Sequence, residues 1–322
     1  MDRFTWVPGV GVDASGVERL RVRLQRPSAP MGEAWFMGSE RRMFRELLGN
    51  VEKLTPEELQ KPLEEIASGT SAFGPSEEWT SWYHFLLGAL LTRSHEHFVD
   101  YLLEYLITGF MAIYPNGVQA APYHGRFRED TLLTLGRAIM DRQCWDGADI
   151  AIGSLLHRSN NNPNRVWGWW NTSGDFSSSM FFCLKYLPEP LIAGWFKSAL
   201  TIRSPHWRAQ LVAWLVGAHP ILHGEVGWPS ELKEGARPSV SWAWSYCLRP
   251  ELATTDRNGE VPMDSFLSEH SRRVALQVAR EHLTEDVLSD WLSSISAVPY
   301  LESELGEIPR TFERLYLSAT ST

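Results

Sequence analysis

The side chains of this sequence that could perform acid–base chemistry are a histidine and a few carboxylates on either side of a tryptophan-rich stretch. His157 and Asp175, together with the distant Glu225, are the candidate catalytic residues. Cleavage of a glycosidic bond, for example, requires two carboxyl groups that flank the bond. The sequence supplies these candidates but identifies no carboxylate pair at a defined spacing, so it leaves catalysis open.

A second group of side chains could bind an anion. His124, Arg126 and Arg128 precede a predicted helix, and a helix N-terminus with nearby arginines favours anionic ligands. Glu129 and Asp130 follow them immediately. These carboxylates could instead pair with the arginines and with the helix dipole, so two interpretations of the group remain open.

Neither the pair His95 and His97 nor the spacing of the cysteines predicts a metal site. His95 and His97 flank a glutamate, but residues two apart on a helix point roughly 200° apart and cannot bind one ion from the same face. The three cysteines lie far apart, without a CxxC pair. There is no GK dipeptide and no GxSxG elbow, and Gly9-Val10-Gly11 lacks the third glycine of a dinucleotide fingerprint. We therefore expect no metal and no cofactor.

The most unusual stretch of the chain runs from Arg158 to Phe182 and gathers tryptophans among asparagines and glycines without a helical pattern. A second tryptophan pair lies further on, between two serines. Aromatic rings beside amide side chains on a loop are typical of a recognition surface, because the rings supply rigid area and the amides supply adaptable hydrogen bonds. The candidate binding residues are Asn160, Asn161, Asn162, Trp167, Trp169, Trp170, Trp242 and Trp244. In the alternative interpretation, the loop folds back and buries its tryptophans against the helices.

The elements that must position these residues are helices. Beyond residue 38, apolar residues recur at helical spacing, and short turns separate successive stripes, so neighbouring helices should lie antiparallel. We predict an all-α fold of roughly a dozen helices, arranged as an α–α superhelix of antiparallel pairs that resembles HEAT or armadillo solenoids. A closed α/α toroid is the alternative architecture. Residues 38–157 would form the first half of the array, 158–182 the central loop and 183–322 the second half.

Six tryptophans lie on the predicted apolar stripes and should be buried in the core, where each contributes a large apolar area. They are Trp79, Trp82, Trp195, Trp207, Trp214 and Trp291. The tryptophans of the candidate binding residues lie off these stripes. The pattern therefore separates core tryptophans from candidate binding tryptophans.

The N-terminal segment, residues 1–37, shows a different pattern. Between Val17 and Arg26, leucine and valine alternate with arginine, and an alternation of period two is typical of a half-buried strand. The turn-forming residues Asp13 to Gly16 precede it. We predict a β-hairpin that caps one end of the helical array.

Several helix boundaries follow from capping residues, prolines and glycines. Thr55-Pro56-Glu57-Glu58 predicts a helix start, and Pro62 should end or kink that helix. A loop is expected from Gly69 to Pro75, and the apolar stripe that begins at Trp207 should end at Pro220. A helix at about Asp130–Asp141 should be followed by another through Ile150.

Composition limits the classes of partner. The chain has 322 residues and a formal net charge of -9, which disfavours nucleic acid, because binding of a phosphate backbone requires clustered lysines and arginines. The apolar runs are shorter than the roughly 20 residues needed to cross a bilayer, so we expect no membrane span. The first residues contain no export signal, which favours a cytoplasmic protein.

Two functional hypotheses fit these observations. In the first, the protein is a non-catalytic helical-repeat module, adaptor-like or immunity-like, that binds another protein, and a basic partner would complement its acidity. In the second, it is an α/α-toroid enzyme or binder that acts on a carbohydrate-like ligand, with tryptophans as platforms for a sugar. The first hypothesis requires only features visible in the sequence, so it is preferred.

Overall fold

The computed structural model describes residues 3–28, 45–73, 76–93, 98–99, 101–118, 123, 125–151, 174–229 and 265–317. Within these residues the chain is mostly helical, as predicted, with twelve α-helices and one two-stranded antiparallel hairpin. The helices are α1 (Ala14–Arg23), α2 (Pro56–Phe73), α3 (Glu77–Leu90), α4 (Leu103–Ile113), α5 (Phe127–Thr134), α6 (Gly174–Tyr186), α7 (Glu189–Leu200), α8 (Pro205–His223), α9 (Glu269–His282), α10 (Glu285–Ser296), α11 (Pro299–Leu305) and α12 (Ile308–Phe312). The strands are β1 (Trp145–Asp146) and β2 (Asp149–Ile150). None of the helices in these ranges is both long enough and apolar enough to cross a membrane.

The described elements fall into two compact units. One unit holds α1 to α5, within Val12–Ala138, and the other holds the β-hairpin and α6 to α12 together with residues 3–11. In the first unit, α2 packs against α3 and α4, while α1 packs against α3 and α5. In the second, α8 packs against β2, α9, α10, α11 and α12. Helix α8 is therefore the element around which the second unit is built.

The β-hairpin predicted for residues 1–37 is wrong, because the segment predicted as its second strand contains helix α1. Leu20 and Leu24 lie one helical turn apart and are 0% and 5% exposed, whereas Val22 is 51% exposed. An apolar residue at every second position also places apolar residues four apart, which is helical spacing. The Asp13 carboxylate accepts a hydrogen bond from a backbone N–H of the first turn (2.7 Å) and caps the helix. This cap and the burial of one face favour the helix over a strand.

The start of α2 confirms the capping prediction. The Thr55 hydroxyl accepts a hydrogen bond from Glu58 N (3.2 Å), and the Glu58 carboxylate accepts one from Thr55 N (2.7 Å). The loop predicted to begin at Gly69 is wrong, since α2 continues to Phe73. A Cβ at Gly69 would lie 2.8 Å from the indole ring of Trp79 on α3. Gly69 therefore serves the close packing of two helices and not a turn.

Pro62, which was predicted to end or kink its helix, and Pro220, which was predicted to end one, both lie inside helices. Helix α2 continues past Pro62, and α8 continues past Pro220 to its C-terminus at His223. A proline in a helix interior costs about 3 kcal/mol, so the helix continues only where packing offsets this cost. The following residues, Leu63 in α2 and Ile221 in α8, are 0% and 1% exposed. Burial of these side chains supports the continuation.

The region after α5 differs from the two helices predicted for it. Helix α5 ends at Thr134, a 3-10 turn follows at Leu135–Met140, and the chain then forms the β1–β2 hairpin with Trp145 opposite Ile150. Gly147 lies in the hairpin turn with a positive φ of 61°, a conformation that glycine adopts without strain. Residues 145–150 therefore form a hairpin and not the part of the second helix predicted there, while the rest of that prediction lies outside the described residues.

The six tryptophans predicted to be core residues are confirmed. Each is 2% exposed or less, and they are Trp79, Trp82, Trp195, Trp207, Trp214 and Trp291. The N-terminal Trp6 joins them, with its ring centroid 5.1 Å from that of Trp195 and 5.8 Å from that of Trp207, in edge-to-face geometry. Its backbone N–H donates to the Ser198 hydroxyl (2.8 Å), which fixes the N-terminal segment on α7.

An ion pair between the half-buried Arg19 and the buried Asp130 joins α1 to α5 in the first unit. The Arg19 guanidinium donates two hydrogen bonds to the Asp130 carboxylate, at 2.9 and 2.6 Å, and the Tyr123 hydroxyl donates a third at 2.9 Å. Asp130 is 0% exposed. Burial alone would raise the pKa of the Asp130 carboxyl, but these hydrogen bonds outweigh it and hold the pKa below its usual value.

We predict that Arg19→Met lowers the free energy of unfolding by about 3 kcal/mol, because it leaves the Asp130 carboxylate buried without its cation. Arg23→Met is the matched control on the same helix, since Arg23 is exposed, and its effect should stay within about 0.5 kcal/mol. Urea unfolding followed by far-UV circular dichroism measures both. Equal effects of the two substitutions would contradict the prediction.

His84 on α3 is a second buried titratable group of the first unit. Its Nε2 lies 2.6 Å from the Tyr114 hydroxyl, and its ring contacts Phe127 edge-on at 5.4 Å between centroids. Burial lowers the pKa of His84 to about 4. The folded protein therefore holds this imidazole neutral at pH values at which the unfolded chain would protonate it.

The stability that depends on neutral His84 should be complete above about pH 6.5 and should decrease as the pH falls towards 4, because the unfolded chain then binds a proton that the folded chain excludes. The free energy of unfolding should fall by about 3 kcal/mol at most over this pH range. Urea unfolding between these pH values should show a smaller pH dependence for His84→Gln than for the wild type. His270→Gln, at a partly exposed position on α9, should behave like the wild type.

Candidate functional site

Most of the binding residues predicted from the sequence lie outside the described residues. They are Asn160, Asn161, Asn162, Trp167, Trp169, Trp170, Trp242 and Trp244, together with His124 and His157. The described candidates are Asp175, Arg126, Arg128 and Glu225. The structure therefore tests the setting of these four residues only.

Asp175 lies in the first turn of α6 and is 6% exposed. The predicted loop 158–182 extended too far, because α6 begins at Gly174 and includes the last residues of that range. Phe176 and the following residues to Leu184 are all buried, which explains why they fold as part of the core. Asp175 is consequently a buried helix residue and does not lie on a loop.

The two described arginines of the predicted anion site have different surroundings. The Nε of Arg126 lies 3.5 Å from the carboxylate of Glu129, and Arg128 is exposed. Asp130, the other acidic residue of this turn, is bound by Arg19. The pairing of Arg126 with Glu129 is the arrangement that the second interpretation of this sequence predicts, and it reduces the positive potential available to an anion.

The N-terminus of α8 carries a hydrogen-bonded network built from three separate elements. The Ser204 hydroxyl caps the helix by accepting from Trp207 N (3.0 Å), and it donates to the Asp149 carboxylate from β2. The other carboxylate oxygen of Asp149 lies 2.7 Å from Nδ1 of His206. The Nε2 of His206 bonds the hydroxyl of Tyr300, on α11.

This network orders a carboxylate, an imidazole and a phenol in series. With the Nδ1 proton donated to Asp149, the Nε2 of His206 accepts from Tyr300, and the carboxylate fixes the tautomer of the ring. Burial alone would raise the pKa of the Asp149 carboxyl, but hydrogen bonds from His206 and Ser204 outweigh it and lower the pKa. His206 is only 7% exposed, so the network also satisfies its buried polar atoms.

The C-terminus of α8 carries the second cluster, His219, His223 and Glu225. The two histidines lie four residues apart on one face of the last helical turns, and their rings stack at 3.9 Å between centroids with an interplanar angle of 20°. Gly224 ends the helix in the left-handed conformation, with a φ of 76°. The chain then turns back, and Glu225 N donates to the Pro220 carbonyl (2.8 Å).

This turn brings the Glu225 carboxylate to 3.9 Å from Nδ1 of His219. One donor atom from each residue of the cluster lies within 4.8 Å of the others. Tyr316 packs edge-on against the His219 ring at 5.6 Å, and its hydroxyl donates to the Leu215 carbonyl (2.8 Å). The Nε2 of His223 is buried and has no hydrogen-bond partner.

The pKa values of both histidines of the cluster are lowered from their usual value. Burial is the main cause that lowers the pKa of His219 and of His223, and the guanidinium of Arg280 lowers both further. Neutral imidazole is the form that binds transition metals. Two imidazole rings four positions apart on a helix, together with a nearby carboxylate, could hold a metal ion.

Sequence reasoning missed this cluster although a signal was present. The stretch His219-Pro-Ile-Leu-His223-Gly-Glu225 contains two histidines four apart, and the glycine marks the helix end. Because the helix was predicted to end at Pro220, His223 was not assigned to the same helix as His219, and their common face was not recognised. The expectation of no metal was drawn from the spacing of His95 and His97, which lie outside the described residues.

Lys185 on α6 is a further buried ionisable group of the second unit. Its amine donates to the Phe266 carbonyl (2.6 Å) and lies 4.6 Å from the centre of the Phe266 ring and 5.3 Å from that of Trp228. Burial lowers its pKa to about 8. The rings and the carbonyl stabilise the cation, so this group links α6 to the segment before α9.

We predict that Asp149→Ala lowers the free energy of unfolding by about 2 kcal/mol, because it leaves the buried His206 Nδ1 and the Ser204 hydroxyl without their acceptor. Asp146→Ala is the matched control, since Asp146 lies opposite Asp149 in the hairpin but is exposed. Its effect should stay within about 0.5 kcal/mol. Thermal and urea unfolding measure both, and a loss below that level for Asp149→Ala would show that the network is not stabilising.

The donor atoms, distances and burial of the two clusters at the ends of α8 define what each cluster can bind or orient. No protein-family model, no curated protein and no solved structure matches this chain.

Proposed function

We propose that the protein is a non-catalytic helical module that binds another protein. The stretch that contains Asn160 to Trp170, called the Asn/Trp-rich segment, would form its contact surface. The observation that supports this proposal is the burial of the tryptophans that the helical stripes predict, because it leaves a second group of tryptophans in stretches without a helical pattern. All six tryptophans on predicted helical stripes are buried in the core. The remaining aromatic-rich stretches, around Trp167–Trp170 and Trp242–Trp244, have sequences suited to recognition and not to helix packing.

The helix packing supports an array of stacked helix pairs. In both units, helices pack against the next but one, as α1 does with α3, α2 with α4, α7 with α9 and α8 with α10. In stacked α-hairpins, equivalent helices of successive pairs lie side by side in this way. We propose the α–α superhelix as the arrangement that uses this pattern and offers an extended binding face.

Charge and the setting of one predicted acid favour binding over catalysis. The formal net charge of -9 complements a basic partner, for which electrostatic attraction raises the association rate. Asp175, one of the predicted acid–base residues, is 6% exposed within α6, which does not suit a group that must contact a soluble sugar. We therefore retain protein binding as the proposed function.

A pull-down from a lysate of the source cells tests this proposal. We expect the wild type to retain a basic protein, and the double variant Trp169→Ala/Trp170→Ala to lose it, because aromatic anchors contribute most of the energy of an interface. Tyr101→Ala is the control, since Tyr101 is an exposed aromatic residue outside the segment. Raising the salt concentration should weaken retention by screening the charges.

Two results would contradict the proposal. If the double variant retains the same protein as the wild type, the segment is not the contact surface. If tryptophan fluorescence of the wild type shifts with an oligosaccharide panel and no protein is retained, the carbohydrate hypothesis takes its place.

A further inference from the structure

We propose that His219, His223 and Glu225 bind a divalent transition-metal ion of the zinc class. The donor set is two imidazole nitrogens and one carboxylate oxygen, which zinc accepts at bond lengths of about 2.0–2.2 Å. None of the three residues belongs to the Asn/Trp-rich segment, and this proposal goes beyond the proposed protein binding without depending on it.

The geometry brings the donors near to a binding arrangement. In a tetrahedral zinc site the ligand atoms lie roughly 3.3 Å apart. The donor atoms of this cluster lie within 4.8 Å of one another, so they must close by at most about 1.5 Å. Side-chain rotation can supply this movement, because the Glu225 side chain is 60% exposed and follows the turn at Gly224.

The unsatisfied nitrogen of His223 is the independent observation that points to a ligand. Its Nε2 is buried and has no hydrogen-bond partner. A buried polar atom without a partner costs free energy, and such an atom in a folded protein calls for an explanation. Coordination of a metal by this nitrogen removes the cost, whereas the 3.9 Å separation of His219 and Glu225 is too long for the hydrogen bond that a purely structural pair would form.

Two arginines of α9 lie near the cluster and oppose a cation. Arg280 acts on both histidines, and the Arg272 guanidinium approaches Gly224. Glu225 offsets one positive charge, and Arg280 is exposed, so water screens its effect. With three protein ligands the metal keeps a fourth position for water or for an anion.

Competition between the full-length protein and a chromogenic chelator for Zn²⁺ tests the site. We expect one equivalent to bind, and Glu225→Gln to weaken the affinity by about tenfold or more. His223→Gln should weaken it likewise. Glu225→Gln changes a mostly exposed side chain, so the fold should persist, and far-UV circular dichroism verifies this.

The chain offers a matched control in Glu189 and His270, a surface pair at 4.0 Å that belongs to no three-residue donor cluster within the part of the chain that the structure describes. Glu189→Gln should leave the Zn²⁺ affinity unchanged. Failure of the wild type to bind Zn²⁺ would overturn the site. Wild-type affinity in both Glu225→Gln and His223→Gln, or equal weakening by Glu189→Gln, would place the ion elsewhere and would also overturn it. None of these outcomes depends on retention of a protein partner, so the two proposals fail separately.

Discussion

Burial of α8 on nearly all of its faces is the constraint on which the second unit depends. Trp207 contacts Trp6 and Phe176, and Trp214 contacts Phe181, each at ring separations between 4.8 and 5.8 Å. A fully buried aromatic side chain contributes about 2 kcal/mol or more to the free energy of folding relative to an exposed one. Rotation of the helix would expose several of these side chains at once. From position 209 to position 218 the only amide or charged side chain is Gln210. Apart from Gln210, the amide and charged side chains of α8 therefore lie near its two ends, and the packing of its middle holds both ends in place.

The sequence predicts those parts of the fold that depend on local patterns. The Thr55 cap located the start of α2, and the apolar stripes identified six core tryptophans correctly. The errors arise where packing outweighs a local signal. Pro62 is tolerated inside α2 because its neighbours are buried, and Gly69 accommodates an indole ring instead of forming a turn. The sequence of α1 is ambiguous, because apolar residues that alternate over a short stretch fit both a strand and a helix. The Asp13 cap and the burial of one face stabilise the helix.

The two clusters at the ends of α8 differ in how far a sequence could reveal them. Asp149 and His206 are 57 positions apart, and His206 and Tyr300 are 94 apart, so only the tertiary fold brings this network together. The histidine pair of the other cluster is local and visible as an i, i+4 spacing. Its carboxylate is not on the same helical face by spacing alone. The left-handed turn at Gly224 returns Glu225 to the helix end, and this depends on a backbone conformation that only the structure establishes.

The N-terminus of α8 carries the charge that a helix dipole favours, and the proposed metal ion would supply the favoured charge at the C-terminus. At the N-terminus, where the dipole is positive, the Asp149 carboxylate bonds the capping Ser204 hydroxyl, and its lowered pKa keeps it ionised. At the C-terminus the dipole is negative, and a cation there gains about 0.3–1 kcal/mol from it. The same turn that satisfies the last carbonyls, through Glu225 N and the Pro220 carbonyl, also delivers the carboxylate to the histidine pair. The turn at Gly224 therefore both ends the helix and positions Glu225 beside the two histidines. A substitution that removes the left-handed conformation at Gly224 would disturb the helix end and the position of Glu225 together.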